Sequence, residues 1–370
     1  MDFPIKKILV VSVSAGNGHT RAAAALKKAA DLFYPKITVE HVDFLDFVGP
    51  GSKKIFFESY NLIVKNLPTL YRLLFDISDN ELGAKIIEKI TSFNRKLNTE
   101  KFQEYIKSFS PQAIVFTHFT PAEIFNNFGY SDMPTATIIT DYEKHRLWFT
   151  GNKQKYFVAQ MGIKKQLIDL GVDKNNIIIS GIPVDPDFYQ PLTFSHKNNI
   201  ANKLKISPNQ KIVALMPPGQ GEIDIIKLTK KILENKNITI LALAGKDKRL
   251  LQEYKKLNND KIKIIGWTDK ISDYLQLADV VVTKPGGLTT SECLAINKPM
   301  VLINPIPGQE EKNIKYIVAS GLGTTLTDEK LWPTIWENIQ NNNLPSKKMV
   351  DRPATSIILD TILNNLKHPD

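Results

Sequence analysis

Three short stretches carry residue types and spacings that could do chemistry. The first, Ser14-Ala15-Gly16-Asn17-Gly18-His19-Thr20, follows an apolar run and precedes an Ala-rich segment. Gly16 and Gly18 allow a ligand close to the backbone, and the N–H groups of a helix start attract negative or developing negative charge. His19 in the first helical turn has a neutral form that accepts a proton near pH 7, and the helix start should lower its pKa further. It reads either as a general base or as a capping histidine. The second stretch, Thr283-Lys284-Pro285-Gly286-Gly287-Leu288-Thr289-Thr290-Ser291-Glu292, has a turn able to wrap N–H groups around a diphosphate. Lys284 adds positive potential there, and the carboxylate of Glu292 could take the two hydroxyls of a ribose, as acidic residues do in other nucleotide folds. The third, Pro307-Gly308-Gln309-Glu310-Glu311-Lys312-Asn313, offers in Gln309, Glu310 and Asn313 the mixed donors and acceptors that sugar hydroxyls need; it also reads as a solvated turn before a helix.

Two familiar alternatives fit poorly. A dinucleotide fingerprint needs Gly or Ala where Arg21 stands, and no GK[ST] of a P-loop is present. Asp141, after Thr140, and His118, after Thr117, end two further apolar runs; they read as cleft residues, or as a loop-capping aspartate and a surface histidine. Asp141 could orient His19 or act as the base itself.

These residues need strands and helices to place them. Short β-branched runs alternate with amphipathic stretches along the whole chain, the pattern of an α/β protein with parallel sheets covered on both faces. Strands are expected at 8–14, 38–42, 113–117, 135–140, 154–158 and 177–180, then at 211–216, 239–244, 262–265, 280–283 and 300–303. Residues 1–185 form one Rossmann-like domain and residues 206–350 a second. Residues 186–205, without helical or strand periodicity, read as a linker, and 351–370 as a helix packing back on the first domain. Two such domains facing each other would line a cleft with the loops at their strand ends.

The chain has 370 residues and a formal charge of +10, most of the excess lying after Gln190. No basic tail or uniformly basic domain accompanies that charge, so nucleic acid is not the expected partner. A single cysteine, Cys293, excludes an internal disulfide framework, and no Cys/His spacing resembles a zinc site. A reducing, cytoplasmic setting is expected. Lys6-Lys7 and the apolar run after it read as a first strand rather than a signal peptide. No run of 18 apolar residues occurs, so membrane contact would be peripheral. Between Lys53 and Phe75, Lys65 and Arg72 interleave with Phe56, Phe57 and Tyr71, a composition suited to an anionic interface or to an ordinary core-facing helix.

Taken together, Gly-x-Gly-His after the first strand, TKPGGLTTSE from Thr283 to Glu292 and PGQEEKN from Pro307 to Asn313 resemble the MurG-like glycosyltransferases of the GT-B fold. The resemblance spans nearly the whole chain and is strongest to the monogalactosyldiacylglycerol synthase and diacylglycerol glucosyltransferase branch. It implies two facing Rossmann-like domains and an inverting transfer of glucose or galactose from a UDP-sugar to diacylglycerol, without a metal or other cofactor. UDP would sit on the second domain: Gly266, Trp267 and Thr268 beside uracil, Glu292 on ribose, Gly286, Gly287, Leu288 and Thr289 on the diphosphate, Gln309 and Glu310 on the sugar. Gly219 and Gln220 would join the phosphate side, although Met216-Pro217-Pro218-Gly219 departs from the more Gly-rich turn of the family. The acceptor would sit on the first domain, with His19 activating its hydroxyl and Phe56, Phe57, Lys65, Tyr71, Arg72 and His118 on the acceptor or membrane side, at the inner face of the cell membrane. The resemblance leaves two rivals: transfer of N-acetylglucosamine to a polyprenyl-linked cell-wall precursor, and a non-catalytic nucleotide-sugar-binding protein.

Overall fold

A computed structural model describes residues 5–14, 16–49, 73, 75–77, 79, 99–130, 133–143, 145–216, 223–346 and 352–365. The chain divides into two compact units, Met1–Pro186 with Val350–Asp370, and Asp187–Met349.

The first unit holds six parallel strands, β1 (Lys7–Ser12), β2 (Thr38–Asp43), β3 (Ala113–Phe116), β4 (Thr135–Ile138), β5 (Lys155–Val158) and β6 (Ile177–Ile179), in the order β2-β1-β3-β4-β5-β6. Helices α1 (Asn17–Phe33), α2 (Glu100–Phe109), α3 (Phe119–Asn126) and α4 (Met161–Asp169) connect or flank them. In β1 the side chains alternate between two cores. Ile8 and Val10 pack with Ala23 and Leu26 of α1, whereas Leu9 and Val11 pack with Phe102, Phe116 and Phe125. A strand buried on both faces has no polar side to show, so its sequence is a continuous apolar run. The C-terminal helix Ala354–Asn365 belongs to this unit: Ile358, Leu359, Ile362 and Leu363 complete the core that α1 lines. Asp360 of that helix accepts a 2.6 Å hydrogen bond from the hydroxyl of Tyr34, at the end of α1, and pairs with Arg352.

The second unit repeats the architecture with β7 (Lys211–Leu215), β8 (Ile238–Gly245), β9 (Ile262–Gly266), β10 (Val280–Thr283), β11 (Met300–Leu302) and β12 (Thr324–Thr325), in the order β12-β11-β10-β7-β8-β9. Its helices are α5 (Phe194–Lys203), α6 (Ile225–Leu233), α7 (Lys248–Lys256), α8 (Ile271–Leu277), α9 (Gly287–Ala295), α10 (Gln309–Ala319) and α11 (Trp332–Gln340). Counted within the unit, this is the doubly wound order of dinucleotide-binding domains.

The segment expected to be an unstructured linker contains α5. Thr193 caps it, its hydroxyl accepting a 3.2 Å hydrogen bond from the His196 N–H, and no residue of the helix is buried. Without a buried stripe there is no apolar periodicity to read, so the sequence pattern could not show it. Just before it, the carboxamide of Gln276 accepts from the Leu192 N–H at 2.9 Å and donates to the carbonyls of Gln190 and Asp187, fastening residues 187–192 to the second unit.

Candidate active site

In each sheet the chain reverses its winding at one point, between β1 and β3 in the first unit and between β7 and β10 in the second. Loops leaving the carboxyl ends of strands at such points are where doubly wound sheets bind ligands. Of the residues singled out from sequence, Gly16, Gly18, His19 and His118 follow β1 and β3, and Lys284 to Glu292 follow β10, at these points; Asp141 follows β4, Trp267 and Thr268 follow β9, and Gln309, Glu310 and Asn313 follow β11.

In the first unit, Gly16 precedes α1 with φ +105°, a conformation that side-chain-bearing residues rarely adopt. Gly18 and His19 are the second and third residues of α1, which has no side-chain cap and no acidic residue in its first turn. Nδ1 of His19 lies 2.8 Å from the carbonyl oxygen of Thr117, beyond the end of β3, and 2.9 Å from Oγ1 of Thr140, beyond the end of β4. A carbonyl can only accept, so Nδ1 carries the proton and the lone pair is on Nε2. The Thr117 hydroxyl returns a 3.0 Å hydrogen bond to the backbone carbonyl of His19, which closes the loops on each other.

The His19 ring meets the His118 ring edge to face, centroids 4.7 Å apart and planes at 85°, and Trp148 flanks both at 6.0 and 6.2 Å. Burial pushes the His19 pKa down to about 4, against a smaller raising effect of the Thr117 hydrogen bond. His118 is also held well below the ordinary range, by burial and then by the neighbouring His19. The low pKa expected of His19 thus has burial as its main cause, not the helix start. Both rings are neutral near pH 7. Asp141 is buried on the loop after β4, next to the Thr140 that holds the His19 ring.

In the second unit, β10 delivers Lys284, Pro285 and Gly286 to the start of α9. Gly286 takes the N-cap position, no side chain caps the helix, and no acidic residue stands in its first turn, so the amides of Gly287, Leu288 and Thr289 form the helix's N-terminal turn. Glu292 is buried in the second turn of α9. The Lys284 ammonium donates to Oε1 of the buried Glu310 at 2.7 Å, and Oε2 of Glu310 accepts the Ile306 N–H at 2.8 Å. Asn313, fully buried, donates to the carbonyl of Pro285 at 3.0 Å, tying α10 to the turn before α9. Gln309 is the first residue of α10, and Glu311 accepts from the Gly308 N–H at 3.1 Å. At the far side of this sheet edge, Gly266 ends β9. Trp267 is 65% exposed there with the Lys246 ammonium 5.3 Å above its ring, and the Thr268 hydroxyl accepts the Lys270 N–H.

The structure therefore gathers His19, His118 and the Thr140-Asp141 loop in the first unit, and Lys284, Gly286, Gly287, Glu310 and Asn313 in the second. Phe56, Phe57, Lys65, Tyr71, Arg72, Gly219 and Gln220 lie outside the described residues. Sequence reasoning did not assign roles to Thr117, Thr140, Trp148 or Lys246; Thr117 and Thr140 stood directly beside residues it did choose, at the ends of two expected strands. Among the described residues no group of three or more His, Cys, Asp or Glu is placed to hold a metal ion, and no helix is long and apolar enough to cross a membrane.

Two parallel-sheet Rossmann-like units of this kind make the GT-B fold, and the family models and relatives that the chain matches make it a glycosyltransferase. Residues 19–184 match the family model of monogalactosyldiacylglycerol (MGDG) synthase, and residues 223–359 that of the glycosyltransferase family 28 C-terminal domain. The processive diacylglycerol beta-glucosyltransferase of Bacillus subtilis is 27% identical over 97% of this chain and 95% of its own length. Two solved structures share the fold: Acinetobacter baumannii MurG (12% identity, TM-score 0.57, 96% of this chain and 99% of that one) and Anabaena HepE in complex with UDP and glucose (15%, 0.51, 98% and 96%). The chain is a glycosyltransferase of the GT-B fold, similar over nearly its whole length to the diacylglycerol glucosyltransferases and, over its first unit, to the monogalactosyldiacylglycerol synthase family.

Proposed function

We propose that the chain transfers a hexose, glucose or galactose, from a UDP-sugar to the free hydroxyl of diacylglycerol, inverting the anomeric centre, as a peripheral enzyme on the inner face of the cell membrane. The observation that carries this reading is the state of His19. Its Nδ1–H is committed to the Thr117 carbonyl and its pKa is low, so Nε2 is an available base at any physiological pH. An alcohol is a weak nucleophile until such a base takes its proton during attack. In the proposed step the acceptor oxygen bonds to the anomeric carbon, the bond from that carbon to the diphosphate breaks, and Nε2 takes the hydroxyl proton. One displacement inverts the centre.

The second unit supplies the donor side. The N-terminal amides of α9 and the Lys284 ammonium face the growing negative charge of the departing UDP, so no metal enters the proposal. Glu292 takes the ribose, Gln309 and Glu310 the hexose, and Trp267 borders the uracil. The names of the relatives support the acceptor: they are diacylglycerol glucosyltransferases, and the family model over the first unit is that of a diacylglycerol galactosyltransferase.

The test is to offer purified enzyme UDP-glucose, UDP-galactose and UDP-N-acetylglucosamine, with diacylglycerol and a polyprenyl-linked acceptor, and to identify products by mass spectrometry and NMR. A hexosyl diacylglycerol of inverted anomeric configuration is expected. Transfer of N-acetylglucosamine to the polyprenyl acceptor, or UDP binding without turnover, would overturn the reading.

A further inference from the structure

The two histidines of the first unit hold opposite tautomers. Nδ1 of His19 faces a carbonyl and must be protonated, so its Nε2 accepts. Nδ1 of His118 accepts the Thr120 N–H at 3.1 Å as the N-cap of α3, so in the neutral ring the proton is on Nε2, which donates. The rings touch edge to face, share Trp148 as a neighbour, and follow the two strands that flank the switch point. Among the described residues neither Nε2 has a hydrogen-bond partner. His118 is 7% exposed, and its unpartnered Nε2–H is not fully enclosed, so it opens on the little space that reaches the ring. Such a group asks for a ligand.

We infer that His118 is a second acceptor-binding residue: its Nε2–H donates to an oxygen on the carbon next to the one bearing the hydroxyl that His19 deprotonates. The pair then reads an O–C–C–OH unit, one ring taking the hydroxyl hydrogen and the other giving a hydrogen to the neighbouring oxygen. In diacylglycerol that oxygen is the ester oxygen on C2. A simple long-chain alcohol has the nucleophile and lacks the second contact. Because a buried donor left unpaired by the wrong substrate is penalised, such a site selects for substrate chemistry more strongly than an apolar wall does. This inference rests on the proposed acceptor reaction and adds the residue that chooses among alcohols.

The experiment compares diacylglycerol with a branched primary alcohol of matched chain length in which a methylene replaces the C2 ester oxygen, in wild type and in two variants. His118→Ser keeps an N-cap hydroxyl for α3 and removes the distant donor; His118→Phe keeps the ring and removes both nitrogens. Wild type is expected to favour diacylglycerol in kcat/KM by about tenfold or more, the worth of one hydrogen bond to a buried group. Both variants should bring the ratio close to one, mainly by losing the diacylglycerol rate. A purely structural role would lower both rates together and leave the ratio alone, and that outcome overturns the inference. ¹⁵N NMR of the ring nitrogens gives a readout free of turnover: a proton on Nδ1 of His118 overturns it too. If neither alcohol is glycosylated while UDP still binds, the acceptor reading itself has failed, and this inference with it.

Discussion

The two units place candidate site loops at the same topological position and fill it with opposite chemistry. At the switch point of the first sheet stand neutral imidazoles, oriented by a carbonyl and a hydroxyl and kept uncharged by burial. At that of the second stand an uncapped helix start and a charge that is already compensated, since Lys284 is bound to Glu310. A proton-transfer group works best when its charge state is free to change, whereas a group that holds an anion works best when its charge is constant. On the proposed function, one fold used twice would separate chemistry from binding.

The comparison is broken most directly at His19. His19→Ala should lower kcat by about a hundredfold or more, the usual worth of a positioned base, with UDP affinity by calorimetry near wild type. Retained turnover would move the chemistry elsewhere. The pH profile sharpens the same point: with a pKa near 4, the acid limb of kcat/KM should fall well below the 6.5 of an ordinary histidine. Stability has the matching sign. Both ring pKa values are lower in the folded state than in the unfolded chain, so the unfolded state binds more protons below about pH 6.5. Stability should decline as pH falls from there toward 4, and thermal melts of a variant lacking both rings should show a shallower decline.

Lys284→Met attacks the other unit. It should raise the KM for donor about tenfold with a smaller change in kcat, and it leaves the buried Glu310 carboxylate without its cation, costing about 1–3 kcal/mol in denaturant melts. An equal loss in kcat and none in KM would mean that this lysine, too, belongs to the chemistry. Thr140→Val removes one of the two groups that hold the His19 ring. Turnover should drop several-fold, and Thr140→Ser should restore it, since the Thr117 carbonyl still fixes the tautomer. The smallest effect is expected from Tyr34→Phe, which removes the hydrogen bond to Asp360 and should destabilise the first unit by about 1 kcal/mol, leaving the second unit unchanged.

Much of the architecture was legible because parallel strands buried on two faces are written as continuous apolar runs, and the runs at β1, β3, β7, β10 and β11 could be placed within a residue or two. Helix α5 was not legible, because none of its residues is buried and nothing in its pattern marks a face. Among the candidate site residues, His19 and the Gly286-Gly287 turn stood out by residue type just after a strand, and Glu292 by its place in the helix that follows. Thr140 did not, for a threonine at the end of a strand is unremarkable until a ring 121 residues away is known to touch it. The Lys284–Glu310 pair was equally hidden: both members had been singled out, each for a ligand, and neither for the other.

The sequence by itself determined that there are two α/β halves, where their loops fall, and which titratable groups those loops carry, because periodicity and glycine placement are local properties of the chain. Only the tertiary structure decided which nitrogen of His19 holds the proton, that His118 takes the opposite tautomer, how far burial lowers both pKa values, and that the lysine of the second unit is already paired. Those outcomes depend on strand order, which brings Thr117 and Thr140 against a residue about a hundred positions earlier. Hydrogen-bond direction and burial are properties of such meetings, and no single stretch of sequence contains them.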